Sequence, residues 1–214
     1  MNSTSVLRAV GGEIAAFLLA ASCAGCDAPG QLLCPSCRAV LVPEPREHVT
    51  PAGLRVEAAL AYDGVAARCI RRLKSDGETY LARPLGAALA AVLAPTVSPS
   101  TWIVPVPTSR SAFRRRGYRV PELLVRRAGY TPQRVLSLVA RPVDQRGLGI
   151  HERAANVHAT MRARRPGGGA HAVLVDDVVT TGATLDEAAR ALRAAGFRVA
   201  SAVTLAATPR RARF

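Results

Sequence analysis

The stretch His171-Ala-Val-Leu-Val-Asp-Asp-Val-Val-Thr-Thr-Gly-Ala-Thr-Leu185 constrains this chain more than any other. A run of aliphatic residues ends in two adjacent carboxylates, Asp176 and Asp177. Two valines follow, and the small-residue loop Thr180 to Thr184 then opens into an alanine-rich segment. The run reads as a buried strand and the alanine-rich segment as a helix, so the loop caps the helix at its N-terminus. Free backbone N–H groups and the positive end of the helix dipole then point into the loop, which suits a phosphate. The carboxylates just before it suit sugar hydroxyls or a hydrated Mg²⁺.

A length of 214 residues, 49% of them hydrophobic, fits one ordinary α/β domain with a small appendage. The net charge of +14 and a pI near 11.1 favour phosphate-bearing partners, either a phosphorylated small molecule or a nucleic acid. No apolar run approaches the ~18–20 residues of a membrane span. The apolar segment Ile14 to Ala21 precedes Cys23 in the manner of a lipoprotein signal. Glu13 at its head, a lone Arg8 before it and alanine at position 20 argue instead for a cytoplasmic protein.

Residues 4–21 have the spacing of a short amphipathic helix. Cys23, Cys26, Cys34 and Cys37 then form two Cys-x-x-Cys pairs, a spacing that closes a tetrahedral four-thiolate Zn²⁺ site of structural type. A disulfide framework is the competing reading and belongs to secreted proteins. Cys69 stands apart as a buried small apolar residue. Residues 42–53, with three prolines, read as a linker between an N-terminal segment 1–50 and a domain 51–214. His48 falls in it as a solvated side chain.

A strand is predicted over 56–62, then helices over 65–74 and 80–93. Lys74 is the single lysine in a chain with 29 Lys and Arg residues, which suggests a position needing a compact point charge. Residues 102–107 read as a short central strand whose prolines suit its end. The following arginines, Arg110 to Arg119, fall in a loop with Phe113 and Tyr118 interleaved. They can clamp a pyrophosphate or line a single-strand nucleic-acid groove, whereas Pro121 to Arg127 reads as a helix with a solvated basic face. A strand over 134–140, a mobile polar loop over 141–150 and a helical turn over 151–157 come next. A basic turn over 164–169, a helix over 183–195 capped by Gly196, a strand over 197–206 and a basic tail complete the chain. Strands alternating with helices predict a parallel sheet covered on both faces.

Val173 to Thr184 resembles, at every position, the phosphoribosyl-pyrophosphate (PRPP) signature of type I phosphoribosyltransferases. The wider arrangement is similar to the ComF family, the competence-associated, GntX-related phosphoribosyltransferase-like proteins. The resemblance runs through the four-cysteine finger, Tyr62-x-Gly64 to Leu73-Lys74, Val104-Pro-Val-Pro107, Arg116-Gly-Tyr118, Gln145-x-x-Leu148 and Arg153-x-x-Asn156. It implies a Rossmann-like parallel sheet with an N-terminal zinc finger. Asp176 and Asp177 would hold the ribose hydroxyls with Mg²⁺ nearby. Thr180, Thr181, Gly182, Ala183 and Thr184 would hold the 5-phosphate, and Thr108, Ser109, Arg110 and Lys74 would complete the PRPP site. Residues 141–153 would close over it as a lid, with Arg153 joining Asp176 and Asp177 in catalysis. Two positions depart from the pattern. Arg119-Val120 stands where the family often has Asn-Gln, and position 180 is threonine where purine-type enzymes place an aspartate base.

Three functions follow. The first is transfer of a 5-phosphoribosyl group from PRPP to an unknown nucleophile. The second is a non-catalytic competence protein that senses PRPP and holds single-stranded DNA beside a helicase-like partner. The third is a zinc-bearing adaptor with a vestigial site, and the intact signature speaks against it.

Overall fold

The computed structural model describes residues 21–139 and 160–209. The expected N-terminal helix, the lid, the turn over 151–157 with Arg153 and Asn156, and residues 210–214 lie outside that description. In chain order the elements are α1 (Pro35–Val40), β1 (Arg46–Val49), β2 (Arg55–Ala61), α2 (Gly64–Ser75), α3 (Ala82–Leu93) and β3 (Trp102–Pro105). They continue with α4 (Arg110–Arg116), α5 (Val120–Arg127), β4 (Leu136–Leu138), β5 (Met161–Ala163), β6 (His171–Val179), α6 (Ala183–Ala194) and β7 (Arg198–Ala207).

Five strands form one sheet in the order β1-β2-β7-β6-β3. β2, β7, β6 and β3 run parallel, and β1 is antiparallel at one edge. β6 shows why the sheet needs cover on both faces. Its residues Ala172 to Val175 are all buried. Val173 and Val175 face a cluster built by Ile70, Leu73, Leu85 and Leu124 of α2, α3 and α5. Ala172 and Leu174 face the opposite cluster with Leu185, Ala188 and Leu192 of α6. An unbroken aliphatic run is what a parallel strand buried on both sides requires, and full burial of a residue such as Leu174 contributes ~1.5–3 kcal/mol. The alternation of strands and helices thus yields the expected α/β sandwich.

Four local expectations are corrected. The segment read as a linker contains β1, whose residues Arg46 to Val49 pair with Ala58 to Arg55. A short, polar edge strand carries no hydrophobic period, and Pro43, Pro45 and Pro51 bracket it without interrupting it. β3, read as central, is an edge strand that pairs only with β6 among the described residues. Its closing prolines have no N–H to give a further neighbour. Residues 134–140 do not extend the main sheet; β4 pairs antiparallel with β5 in a separate two-stranded sheet. Arg110 to Arg116 form the helix α4 instead of a loop, started by Ser109, whose Oγ accepts from Ala112 N at 3.2 Å. Among the described residues no helix is long and apolar enough to cross a membrane.

Candidate functional site

The carboxylates sit on β6 near its C-terminal end. Asp177 is 8% exposed, and Lys74 Nζ donates to its Oδ1 at 2.8 Å. Lys74 arrives from the last turn of α2, so the pair joins elements 103 residues apart. Asp176 Oδ1 accepts from the Asp177 backbone N–H at 2.8 Å. Burial, and then the adjacent Asp177 charge, push Asp176 up to about 8. The Asp176 carboxyl, next to Asp177, thus resists ionising. A ligand that donates hydroxyl hydrogens, or a cation, relieves that resistance. The hard oxygen donors of the two carboxylates fit a hydrated Mg²⁺ better than a soft metal.

Beyond Val179 the chain turns into α6. Gly182 takes φ 85° at the N-cap, and a Cβ there would lie 2.6 Å from the Thr50 methyl carbon. Glycine is thus required twice, for the left-handed backbone and for the close approach. Thr180, Thr181 and Thr184 are exposed around this loop; the first-turn N–H of Ala183 donates to Thr181 Oγ1 at 3.4 Å, and the N-cap Gly182 offers no side-chain cap. The β1–β2 turn braces the loop from behind. Thr50 Oγ1 donates to Asp186 Oδ1 at 2.5 Å, and Ala52 N donates to Oδ2 at 3.1 Å. The linker reading hid Thr50, because nothing local to it hints at a partner 136 residues away.

Thr108, Ser109 and Arg110 leave the sheet next to this site. Val106 N bonds Val175 O at 2.8 Å, which sets the start of their loop beside Asp176. Thr108 and Arg110 line a cavity of about 630 Å³ off the outer edge of β3, with Arg119, Arg134, Arg162 and Arg164. Neither Asp176 nor Asp177 lines it. Arg134 forks onto the buried Glu122, with Nε at 2.9 Å and Nη2 at 2.6 Å from Oε2. One of these arginines is therefore already neutralised. Arg134, Arg162 and Arg164 escaped the sequence reading because they flank the cavity from a separate sheet. Arg114 and Arg115 are exposed on α4. Arg126, expected on a solvated face, is 53% exposed.

The four cysteines converge as their spacing predicts. Their sulfur atoms all lie within 4.8 Å of one another, and Cys26 Sγ is 3.8 Å from Cys34 Sγ. Tetrahedral Zn–S bonds of about 2.3 Å require sulfurs about 3.8 Å apart. Backbone N–H groups of Gly25 and Cys34 point at Cys23 Sγ at 3.4 and 3.3 Å, and that of Cys37 points at Cys34 Sγ at 3.4 Å. Burial opposes the Cys23 thiolate, but the N–H groups of Cys34, Gly25 and Cys26 bring it down to about 6. Burial and the other sulfurs push Cys37 up. A divalent cation resolves this conflict, since it lets all four sulfurs ionise, so the residues present fit a structural Zn²⁺. Cys69 is fully buried beneath the finger, as expected of a packed apolar side chain.

Residues 119–214 match the family model of the phosphoribosyl transferase domain. That C-terminal part of the chain is thus similar to a phosphoribosyl transferase domain. The match takes in α5, both carboxylates, the loop into α6 and β7, and leaves the finger, α2 and β3 outside. Among curated proteins no sequence matches. Among solved structures the chain is remotely similar to a hypoxanthine phosphoribosyltransferase from Staphylococcus aureus, at 14% identity and a TM-score of 0.38, over 61% of this chain and 65% of that one. It is likewise similar to the UMP synthase of Leishmania donovani, at 15% identity and a TM-score of 0.40, over 80% of this chain and 30% of that one. The third is an orotate phosphoribosyltransferase from Aeropyrum pernix, at 18% identity and a TM-score of 0.34, over 79% of this chain and 77% of that one. The alignments span less than two thirds of the first two proteins.

Proposed function

We infer that this phosphoribosyltransferase-type domain binds PRPP with Mg²⁺ and transfers its 5-phosphoribosyl group to a nucleophile. The supporting observation is the adjacent Asp176 and Asp177, the latter buried and bonded by Lys74, one short loop ahead of the N-terminus of α6. In this reading the N–H groups and threonines of residues 180–184 hold the 5-phosphate, and the carboxylates accept from the ribose hydroxyls. Thr108 and Arg110 lie toward the pyrophosphate. Bound Mg²⁺ supplies charge neutralisation to that leaving group. As the bond from C1 to the pyrophosphate oxygen breaks, the electron pair leaves with pyrophosphate and the nucleophile's lone pair forms the new bond. The protein's part is orientation and electrostatic support of that separation. Thr180 offers no basic side chain, so the nucleophile brings its own reactivity or is deprotonated by another group.

Calorimetric titration of Mg²⁺-PRPP tests the reading. Asp176→Asn/Asp177→Asn removes two charge-assisted hydrogen bonds of ~1.5–3 kcal/mol each, so affinity is expected to fall ~100-fold or more. Wild-type affinity in that variant would remove the carboxylates from the site. Pyrophosphate release with candidate bases separates a transferase from a PRPP-binding protein.

A second reading, a PRPP-sensing competence protein on single-stranded DNA with a helicase-like partner, is favoured by one observation. Arg110, Arg114 and Arg115 are exposed and have no carboxylate partner among the described residues. Single-strand affinity that falls steeply with salt, and a log–log salt slope shallower by ~1–2 in Arg114→Ala/Arg115→Ala, would carry it. An unchanged slope would clear α4 of that role. Either reading places the chain in a reducing compartment such as the cytoplasm, where four thiolates persist. It also takes residues 1–50 as the N-terminal helix, finger and connecting segment, which lends β1 to the sheet, and residues 51–214 as the phosphoribosyltransferase-like domain.

A further inference from the structure

Arg72 and Lys74 are two residues apart on α2 and so project to nearly opposite sides of the helix. Lys74 reaches the site carboxylate Asp177. Arg72 reaches the finger: its Nη2 donates to Asp27 Oδ1, between the two cysteines of the first pair and those of the second. Its Nη1 donates to Glu78 Oε1 at 3.3 Å, just past the helix end. The Tyr80 hydroxyl ties the same corner, lying 2.6 Å from Glu78 Oε2 and 3.3 Å from Leu32 O of the finger. On the inner side, the Tyr118 hydroxyl donates to Leu73 O, the peptide between Arg72 and Lys74. The last turn of α2 is thus held between the finger and Tyr118, with Lys74 as its working end.

We propose that Arg72 is a positioning residue through which the four-cysteine finger holds the end of α2, so that Lys74 stays paired with Asp177. The guanidinium fork is what the place needs, because one planar group spans Asp27 and Glu78 together, whereas an ammonium is a single point charge. Asp27 is well suited to its end of the link. It takes φ 62°, a left-handed conformation that Asp and Asn tolerate better than most residues. The finger then does more than close a metal site: it sets the charge arrangement at the ribose carboxylates from the far side of the helix.

The test uses the zinc-replete full-length chain. Lys74 is its only lysine, so an amine-reactive reagent followed by peptide mass spectrometry reads Lys74 alone, separately from the terminal amine. Arg72→Ala is expected to speed Lys74 labelling about tenfold, to the rate seen in Asp177→Asn, with zinc content unchanged. Arg72→Gln, which loses the charged fork and adds no second amine, is expected to label as fast as Arg72→Ala. Should Arg72→Ala fold poorly, Asp27→Asn breaks the ion pair while keeping the backbone conformation, and faster labelling is expected there too. The second arm rests on the phosphoribosyl reading. Mg²⁺-PRPP affinity is expected to fall about tenfold in Arg72→Ala, but no further when the same change is made in a Lys74→Ala background. Wild-type labelling in these zinc-retaining variants overturns the proposal, as does an additive affinity loss in the double variant. If the wild type binds no PRPP, the functional reading fails, and the labelling arm still decides the role of Arg72.

Discussion

Asp176 shows how a single residue trades stability for a site. Its carboxyl is pushed up to about 8 by burial and by Asp177, against about 3.9 in an unfolded chain. Between those values the unfolded state has released a proton that the folded state keeps. The unfolded chain therefore binds fewer protons, and stability falls as pH rises from about 4 to about 8. Asp176→Asn abolishes the titration. In magnesium-free buffer its melting temperature is expected to equal that of the wild type near pH 4 and to exceed it increasingly toward pH 8. A difference that stays flat across that range, measured by differential scanning fluorimetry, would sink the argument. A residue that lowers stability at working pH is kept for what it binds, and Lys74 offsets only part of the cost because it pairs with the neighbouring carboxylate.

At the scale of elements, the contact between α3 and α5 depends on one missing methyl group. A Cβ on Gly86 would lie 2.4 Å from Arg127 Cβ and 2.9 Å from the Arg127 carbonyl carbon. Helix propensity favours alanine by ~1 kcal/mol, while overpacking against backbone costs ~1–3 kcal/mol. The clash wins because the helix backbone opposite has no rotamer to change. Gly86→Ala is expected to lower the melting temperature by a few degrees, whereas an increase would mean that α5 shifts freely. Elements were legible in the sequence to the extent that burial stamps a period on them. β6, α6 and β7 are such runs; α6 and β7 were read to within a residue, and β6 continues past the carboxylates to Val179. β1 was not, since Arg46, Glu47 and Val49 are exposed and an edge strand needs only a neighbour's backbone. β3 was read as a strand but not as an edge, because its buried Ile103, Val104 and Pro105 look alike in either place.

At the scale of the molecule, the candidate site is legible where its parts are contiguous and hidden where the fold brings them together. The carboxylates and the phosphate loop form one stretch of chain. The Lys74–Asp177, Thr50–Asp186 and Arg72–Asp27 contacts span 103, 136 and 45 residues. No local pattern encodes which helix end meets which strand end. The same long-range closure bears on the finger. Its Cys23, Ala24, Leu33, Cys37 and Leu41 belong to one buried cluster with Leu60, Ile70, Leu73 and Val203 of the sheet and its helices. Gly25 packs so closely that a Cβ would meet Cys37 Sγ at 2.5 Å and Val65 at 2.9 Å. A module that shares its core with the sheet cannot melt alone without exposing α2. Stripping zinc with a chelator under reducing conditions is therefore expected to leave one calorimetric transition, displaced downward by ~10 °C or more, given the ~10–16 kcal/mol that structural zinc contributes in isolated fingers. Two resolved transitions, the upper one at the temperature of the zinc-loaded protein, would instead make the finger an independent unit and cut the mechanical path from its cysteines to Lys74.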